Sequence, residues 1–516
     1  MDSRTKYPGA AWVAPEQAAL ARSVLTYPNP AHETAVAHGG GNVPRTLNAY
    51  RDTGSGGLWV PRLCNLPGIE VAGYMREAQD RPVGWPVAGL DLRDYQAPAV
   101  RAMVATGSGV LVAPPGSGKT IMGLAAARMI DRPILVLVHA HELADQWIDA
   151  SKKVLGVEAV RIAEPGEAPP VAVVLVQALA KWTDSQIVEL GSEYDVLLVD
   201  EAHHSPAETW ERLLWLMLCA HRFGLTATPD RRDGLTPMLH LHLGPVVHRV
   251  QQSTMVASGA SVLPHVVKVE HTITVPVDMK RQVMIHPRGG GWPIRRKASE
   301  FIAAEEIYNS AGMSSRVAVW TGVPDEVADH AVEMIKHRGW EASSRLDDYA
   351  GLIRAVKSDP ERLALIVSLA LRCAAEGSTL ILCQHVDYAE AIAAAVTEAG
   401  VECKAIHAKV RPAKERRLRL ERLRSGDLLV ATASTLADEY LDVRCLSRGI
   451  LALPRRDQAK TQQNVGRLMR AEEGKPTPVW YDIVDSIPGQ SRGGPFVSQW
   501  WSRMRAYKGM GLEVTR

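Results

Sequence analysis

The segment Ala113-Pro-Pro-Gly-Ser-Gly-Lys-Thr120 lies between an apolar run, Gly109–Ala113, and a helical stretch, Ile121–Ile130. No other feature constrains the fold as tightly. A glycine loop between a strand and a helix, ending in Gly-Lys-Thr, brings a strand end and a helix N-terminus onto one anion. Pro115, Gly116, Ser117 and Gly118 let backbone N–H groups surround a β-phosphate, and the glycines permit the close approach. Lys119 is placed to reach the β- and γ-phosphates, and the Thr120 hydroxyl to ligate Mg²⁺. Ala113 stands where the general pattern has its first glycine. ATP and Mg²⁺ are therefore the expected substrate and ion.

The surroundings repeat the same unit. Apolar runs Gly109–Ala113, Pro133–His139, Val171–Gln177, Asp195–Val199 and His221–Thr226 alternate with helical stretches. This pattern predicts a parallel sheet with crossover helices. It lapses after about residue 275 and resumes with a helix near Asp348–Ala375. Runs Thr379–Gln384, Cys403–His407, Leu428–Thr432, Gly449–Ala452 and Val479–Ile483 follow. The predicted architecture is α/β, with two RecA-like parallel-sheet domains in tandem, a small N-terminal domain and an inter-domain insertion. The expected boundaries are 1–88 for the N-terminal accessory domain, 89–275 for the first RecA-like domain and 276–345 for a linker or inserted subdomain. The second RecA-like domain is expected over 346–490, and a tail over 491–516. A chain of 516 residues has room for several cores.

Tyr194-Asp-Val-Leu-Leu-Val-Asp-Glu-Ala-His203 reads as a buried strand ending in two carboxylates. Ligands of such sheets sit beyond the carboxyl ends of the strands. Asp200 is expected to hold Mg²⁺, usually through water, and Glu201 to orient and deprotonate an attacking water. His203 suits a link from this site to the next strand, and His204 reads as a surface histidine. Far downstream, Gln463-Asn-Val-Gly-Arg-Leu-Met-Arg470 spaces Arg467 and Arg470 by three, which predicts one helix face carrying both guanidinium groups. A planar guanidinium binds phosphate oxygens in a fork and stabilises transition-state charge. Gln463, Arg467 and Arg470 are thus expected to complete the catalytic set from the second domain, closing on the ATP held at Lys119.

Taken in order, these motifs resemble those of superfamily 2 helicases of the DEAH type, over about residues 89–250 and 346–487. Arg93-Asp-Tyr-Gln96 resembles the adenine-recognising element, with Arg93 and Gln96 implied at the base. Ala113–Thr120 resembles motif I, Leu135–Trp147 motif Ia, and Asp200-Glu-Ala-His203 motif II. Thr226-Ala-Thr228 resembles motif III, implying that Thr226 and Thr228 couple the two functions through His203. Ile381–His385 resembles motif IV, and Thr432–Asp442 motif V with Asp442 near ATP; Gln463–Arg470 resembles motif VI. Tyr440 replaces the glycine usual in Glu-Gly-Leu-Asp. Within the superfamily, Thr226–Gly234 resembles the extended motif III of XPB-like and phage UvsW-like members. Arg231, Arg232 and Asp233 occupy their Arg-Glu-Asp element, so its Glu is missing. Gly41-Asn-Val-Pro-Arg45 and Leu58-Trp-Val-Pro-Arg62 resemble the N-terminal module of bacterial and phage members. The resemblance implies a DNA motor, typically 3′ to 5′, that unwinds or remodels duplex, forked or branched DNA.

The net charge of +2 leaves only a local patch to bind nucleic acid. Gln177, Gln384 and Thr432 are expected at strand ends along a sugar–phosphate backbone, with Arg231 implied beside them. Arg288, Trp292, Arg295, Arg296 and Lys297 interleave cations, glycines and an indole. They form either a DNA-contacting hairpin or loop, or a solvated basic linker. Arg411–Arg424 has helical spacing and reads as a solvated helix covering a sheet. Trp500–Tyr507 is expected to pack on the second domain. Glu402-Cys-Lys404 fits a nuclease E-x-K pattern but has an ordinary strand position. The six cysteines form no C-x-x-C pair and read as buried thiols of a reducing compartment. No apolar run approaches the ~20 residues of a membrane span. The expectation is a cytoplasmic monomer on single-strand/duplex DNA junctions, with no membrane partner. Two alternatives stand beside it: a motor subunit of a restriction, defence or repair assembly, and an RNA helicase.

Overall fold

The computed structural model describes residues 7–32, 43–73, 81–86, 91–204, 208–228, 235–274, 281–286, 294–297, 318–323, 330–333, 336–337, 341–346, 349–434, 443–488 and 494–515. Two compact units divide the chain, Met1–Ser261 and Val262–Arg516.

In the first unit, strands β1 (Ala10–Val13), β2 (Thr26–Pro28), β3 (Thr46–Asn48), β4 (Arg51–Asp52), β5 (Leu58–Pro61) and β6 (Val71–Gly73) come first. They make an antiparallel sheet in the order β4-β5-β1-β6 and a β2-β3 ribbon. Val13, Leu25, Leu58 and Val60 share a core with Met238 of the helix Thr236–Leu243 and with Leu235, which precedes that helix. Gly9 N–H donates to Trp215 O at 3.0 Å, and a Cβ on Gly9 would meet Met217 O at 2.3 Å. Arg62 donates to Cys219 O at 2.9 Å and Arg222 to Gly9 O at 3.2 Å. The N-terminal sheet is thus bonded into the first unit.

Strands β7 (Ser108–Val112), β8 (Ile134–Val138), β9 (Val160–Ile162), β10 (Val171–Leu175), β11 (Val196–Asp200), β12 (His221–Thr226) and β13 (Val246–Arg249) form a seven-stranded parallel sheet. Its order is β13-β7-β12-β11-β8-β10-β9. β8, β10 and β11 are buried at every residue, including Asp200 at the end of β11, as strands of a parallel sheet covered on both faces are. The helix Lys119–Ile130 lies close against this sheet, where a Cβ on Gly123 would come within 2.9 Å of Leu225 Cδ1.

In the second unit, strands β14 (His265–Thr272), β15 (Arg281–His286), β16 (Ile294–Lys297), β17 (Ala318–Val323), β18 (Glu341–Leu346), β19 (Ser378–Leu382), β20 (Cys403–Ile406), β21 (Val430–Ala433), β22 (Leu446–Leu451), β23 (Val479–Ser486) and β24 (Val514–Thr515) follow. A second seven-stranded sheet, again with parallel pairs, has the order β20-β21-β19-β22-β23-β14-β24. Both sheets match the predicted parallel α/β architecture.

Two boundaries differ from expectation. The first α/β domain was expected to run to 275, but β14 pairs with β23 from His265↔Val479 to Thr272↔Ser486 and belongs to the second sheet. The tail expected over 491–516 is also part of that sheet's domain. Its helix Pro495–Gly509 buries Arg503 against Asp482, at 2.7 Å from both carboxylate oxygens, and β24 extends the edge beyond β14. Trp500 and Tyr507 are buried, while Trp501 is 60% exposed. Between these parts, β15 to β18 form a four-stranded sheet of order β16-β17-β15-β18.

Candidate nucleotide site

The P-loop follows β7, and its helix begins at Lys119. Gly116 has φ +78° and Gly118 φ +81°, left-handed values that glycine adopts without strain. A Cβ on Gly118 would also come within 2.5 Å of Gln96 Nε2. Gln96 is buried and donates from Nε2 to Ser117 O at 2.9 Å, while its Oε1 accepts from Arg93 N–H at 3.1 Å. Tyr95 Oη donates to the same carbonyl at 3.1 Å. One end of the Gln96 amide thus braces the loop, and the other holds the backbone at Arg93. Lys119 Nζ donates to Ala113 O at 3.3 Å, keeping the ammonium over the loop. Pro115 and Thr120 are half-buried. The Ser117 hydroxyl is buried with no hydrogen-bond partner among the described residues. Left-handed glycines, an ammonium and an orphaned hydroxyl together suit a polyphosphate.

The acidic residues stand at the end of β11, separated from β7 by β12 alone. With strands about 4.8 Å apart, the two loops lie roughly 10 Å from each other. The register aligns the ends, with Thr226 opposite Val112 and Asp200 opposite Leu225. Asp200 Oδ2 accepts from Trp147 Nε1 at 2.8 Å and Oδ1 from Glu201 N–H at 2.9 Å. Burial, then Glu201, raise the Asp200 pKa; the indole bond and Lys119 oppose them. Glu201 has φ +46°, unusual for a non-glycine residue and a strain of about 1–3 kcal/mol. His203 Nδ1 lies 3.3 Å from Glu201 Oε2 and 3.2 Å from Thr226 Oγ1, and Thr226 Oγ1 accepts from Thr228 N–H at 3.1 Å. A polar chain therefore runs from Glu201 through His203 to Thr226 and Thr228.

Trp147 was legible only as part of a longer motif. Its signal was a lone indole on the helix after β8, the strand beside β11, where a buried donor reaches the acidic tip.

In the second unit, Gln463 and Arg467 lie on the helix Gln458–Leu468, capped by Asp457, whose side chain accepts from Lys460 N–H at 3.0 Å. Arg467 is buried and Gln463 half-buried. One expectation needs correction. Arg470 does not share a helix face with Arg467, because the helix stops at Leu468 and Met469 is its C-cap. Burial, assisted by Arg424, pulls the Arg470 guanidinium down to about 10.

The nucleic-acid candidates divide. Gln177 is exposed and ties the end of β10 to the end of β8 by donating to His139 O at 2.9 Å. Gln384 is half-buried and donates to Pro454 O at 3.1 Å. Thr432 is fully buried, its hydroxyl donating to Ala389 O at 2.8 Å, so it cannot touch DNA. It sits within β21, where its side chain meets the covering helix Val386–Glu398. Arg295 and Arg296 belong to β16, which pairs parallel with β17, rather than to a hairpin loop. Arg231, Trp292, Arg288, Tyr440 and Asp442 lie outside the described residues. In the basic helix Ala413–Ser425, Leu423 is buried and Leu418 is 49% exposed. Glu402, of the nuclease-like pattern, is paired with Arg422 at 2.8 Å.

With this geometry in place, comparisons locate the chain. The family model "Type III restriction enzyme, res subunit" matches residues 89–231, and "Helicase conserved C-terminal domain" matches residues 361–472. The DNA 3′-5′ translocase XPB2 of Sulfurisphaera tokodaii is 33% identical over 31% of this chain and 36% of its own length. A probable helicase of Escherichia phage T5 is 22% identical over 88% of this chain and 84% of its own. Among solved structures, a DNA-bound ATP-dependent Type ISP restriction-modification enzyme superposes with a TM-score of 0.52 at 14% identity, covering 82% of this chain and 30% of that one; this likeness concerns the fold. These matches support the assignment of the chain to the superfamily 2 helicases, and the two matched domains imply the use of ATP. The chain spans about a third of the length of the first curated relatives it matches. Among the described residues, no helix is long and apolar enough to cross a membrane.

Proposed function

We propose that the chain is an ATP-dependent DNA helicase or translocase that moves 3′ to 5′ and unwinds or remodels duplex, forked or branched DNA. The observation that carries this reading is the convergence at adjacent strand ends. The braced P-loop, the Asp200–Glu201 pair and the chain through His203 to Thr226 and Thr228 stand side by side on β7, β11 and β12. In this reading Lys119 holds the β- and γ-phosphates, and Thr120 and Asp200 hold Mg²⁺, which neutralises developing charge when bound. Glu201 takes the proton of the attacking water, and Thr226 and Thr228 sense its state through His203. Gln463, Arg467 and Arg470 stabilise charge on the transferred phosphoryl group, and Arg93 and Gln96 border the base. Asp442 adds a contact to the nucleotide. Gln177 and Gln384 contact the DNA backbone, with Arg231, Trp292, Arg295 and Arg296 as further contacts. The relatives' names support DNA and the 3′ to 5′ sense. An XPB-like or phage-like member acting as a monomer in the cytoplasm completes the proposal.

The match to a restriction subunit favours a second reading, a motor within a larger restriction assembly. Measuring ATP hydrolysis with duplex, single-stranded, forked DNA and RNA, alongside strand displacement, decides. Stimulation by DNA with displacement supports the autonomous enzyme. Stimulation by RNA alone refutes the DNA reading, and hydrolysis without displacement favours the assembly.

A further inference from the structure

Lys475 lies just beyond the arginine helix, outside every motif described above. The turn from Glu472 is closed by Lys475 N–H donating to Glu472 O at 3.2 Å, with Gly474 at φ +75°. This turn folds the lysine back beneath the helix end. Its Nζ donates to Leu468 O at 2.8 Å, to Arg470 O at 2.8 Å and to Arg444 O at 3.0 Å. An ammonium has three N–H donors, and each meets a carbonyl. Leu468 O belongs to the last turn of the helix Gln458–Leu468, where carbonyls lack intrahelical partners and the helix dipole favours a cation. Arg470 O continues that end, and Arg444 lies two residues past the Thr432–Asp442 segment.

We propose that Lys475 is a positioning residue for the arginine motif, clamping the backbone that carries Arg470 and tying it to the exit of the Thr432–Asp442 segment. This inference rests on the reading that Arg467 and Arg470 act on the γ-phosphate of ATP. Arg470 stands past its helix, so its backbone is not held by the helical ladder; Val262 N–H donates to the neighbouring Met469 O at 2.8 Å, and the clamp holds the Arg470 carbonyl itself. Displacing a catalytic group by about 1 Å can slow a reaction on the order of a hundredfold. An arginine at position 475 has a planar fork that cannot send donors to three carbonyls converging on one nitrogen. Burial pulls the Lys475 ammonium from its ordinary 10.5 down to about 8; Arg470 acts in the same direction, and Glu472 and Cys445 oppose it.

The test uses the full chain with forked DNA. Lys475→Met keeps the apolar stem and removes the donors. Its kcat should fall about 10- to 100-fold while KM for ATP changes less than about threefold. Combined with Arg470→Ala, it should add no further loss, because both act through one group. In the unaltered chain, kcat should decline as pH rises through about 8, when the ammonium loses one of its donors, and that decline should vanish in Lys475→Met. Stability should not follow it. The folded pKa lies below the unfolded one, so between about 8 and 10.5 the unfolded chain binds more protons and this group's contribution to stability rises with pH. If Lys475→Met does not fold, Lys475→Gln and the pH profile of the unaltered chain carry the same decision. A kcat within about twofold of normal, or losses that multiply in the double variant, overturns the inference. Slow Arg470→Ala beside unaffected Lys475→Met sinks this inference alone, whereas an unaffected Arg470→Ala sinks the reading beneath it as well.

Discussion

At the ends of β11 and β12 the functional side chains bond to one another, whereas Asp457 and Lys475 act on the backbone at the two ends of the helix Gln458–Leu468. Trp147 holds Asp200, and His203 lies between Glu201 and Thr226. In the second unit, Asp457 and Lys475 fix the two ends of the arginine helix through its N–H and C=O groups. The acidic group is therefore set by a side-chain network, and the arginine helix is fixed at its ends through its backbone. The second unit's arginines differ among themselves too. Arg362 lies against Asp485 and Arg503 against Asp482, and these carboxylates raise both guanidinium pKa values. Arg470 is pulled down to about 10 by burial and Arg424, so a phosphate arriving there would meet a cation that gains from the pairing.

The sharpest way to break this comparison is to remove Lys119 or Glu201 from the first unit. Lys119→Ala should abolish hydrolysis, and Glu201→Gln should lower turnover by at least about a thousandfold while nucleotide binding persists. Phosphate release paired with a fluorescent-nucleotide titration measures both; near-normal turnover of Glu201→Gln refutes its role as the base. In the second unit, Arg467→Ala and Arg470→Ala should each slow hydrolysis by about a thousandfold with the melting temperature nearly unchanged. Rates within about twofold for both would mean that the arginines do not act on ATP.

The structural arginines should behave in the opposite way. Arg503→Ala leaves Asp482 buried without its cation and should cost about 3–5 kcal/mol of stability in denaturant titration. A loss of activity without that loss of stability would erase the distinction between the two classes. The smallest expected effect is that of Trp147→Phe. It removes one hydrogen bond to a carboxylate, worth about 1.5–3 kcal/mol. The Mg²⁺ concentration for half-maximal hydrolysis should rise roughly tenfold or more, and Mn²⁺ binding followed by paramagnetic resonance should weaken in parallel. Unchanged metal dependence would show that the indole only fills space.

Much of this was legible along the chain because the information is local. The P-loop, the Asp200–Glu201 pair and the alternation of strands and helices each lie within a short segment, and a buried parallel strand announces itself as an apolar run. The expectation for Thr432 failed because a strand alternates its faces and the covering helix is not part of the strand's own sequence. The expected boundary at 275 placed His265–Thr272 in the first domain for a related reason: a parallel strand's neighbour lies far away in sequence, and nothing in that segment names β23.

The sequence by itself determined the kind of sheet, the phosphate loop, the acidic pair and the presence of a distant arginine motif, since these depend on residue type and near-neighbour spacing. Tertiary structure decided what spacing cannot encode. It decided that Trp147 meets Asp200, that Gln96 braces the P-loop, that the arginine helix ends before Arg470, and that Lys475 closes that end. Each of these joins groups brought together only when separate segments pack, and a hydrogen bond acts over about 3 Å of space regardless of the length of chain between its partners.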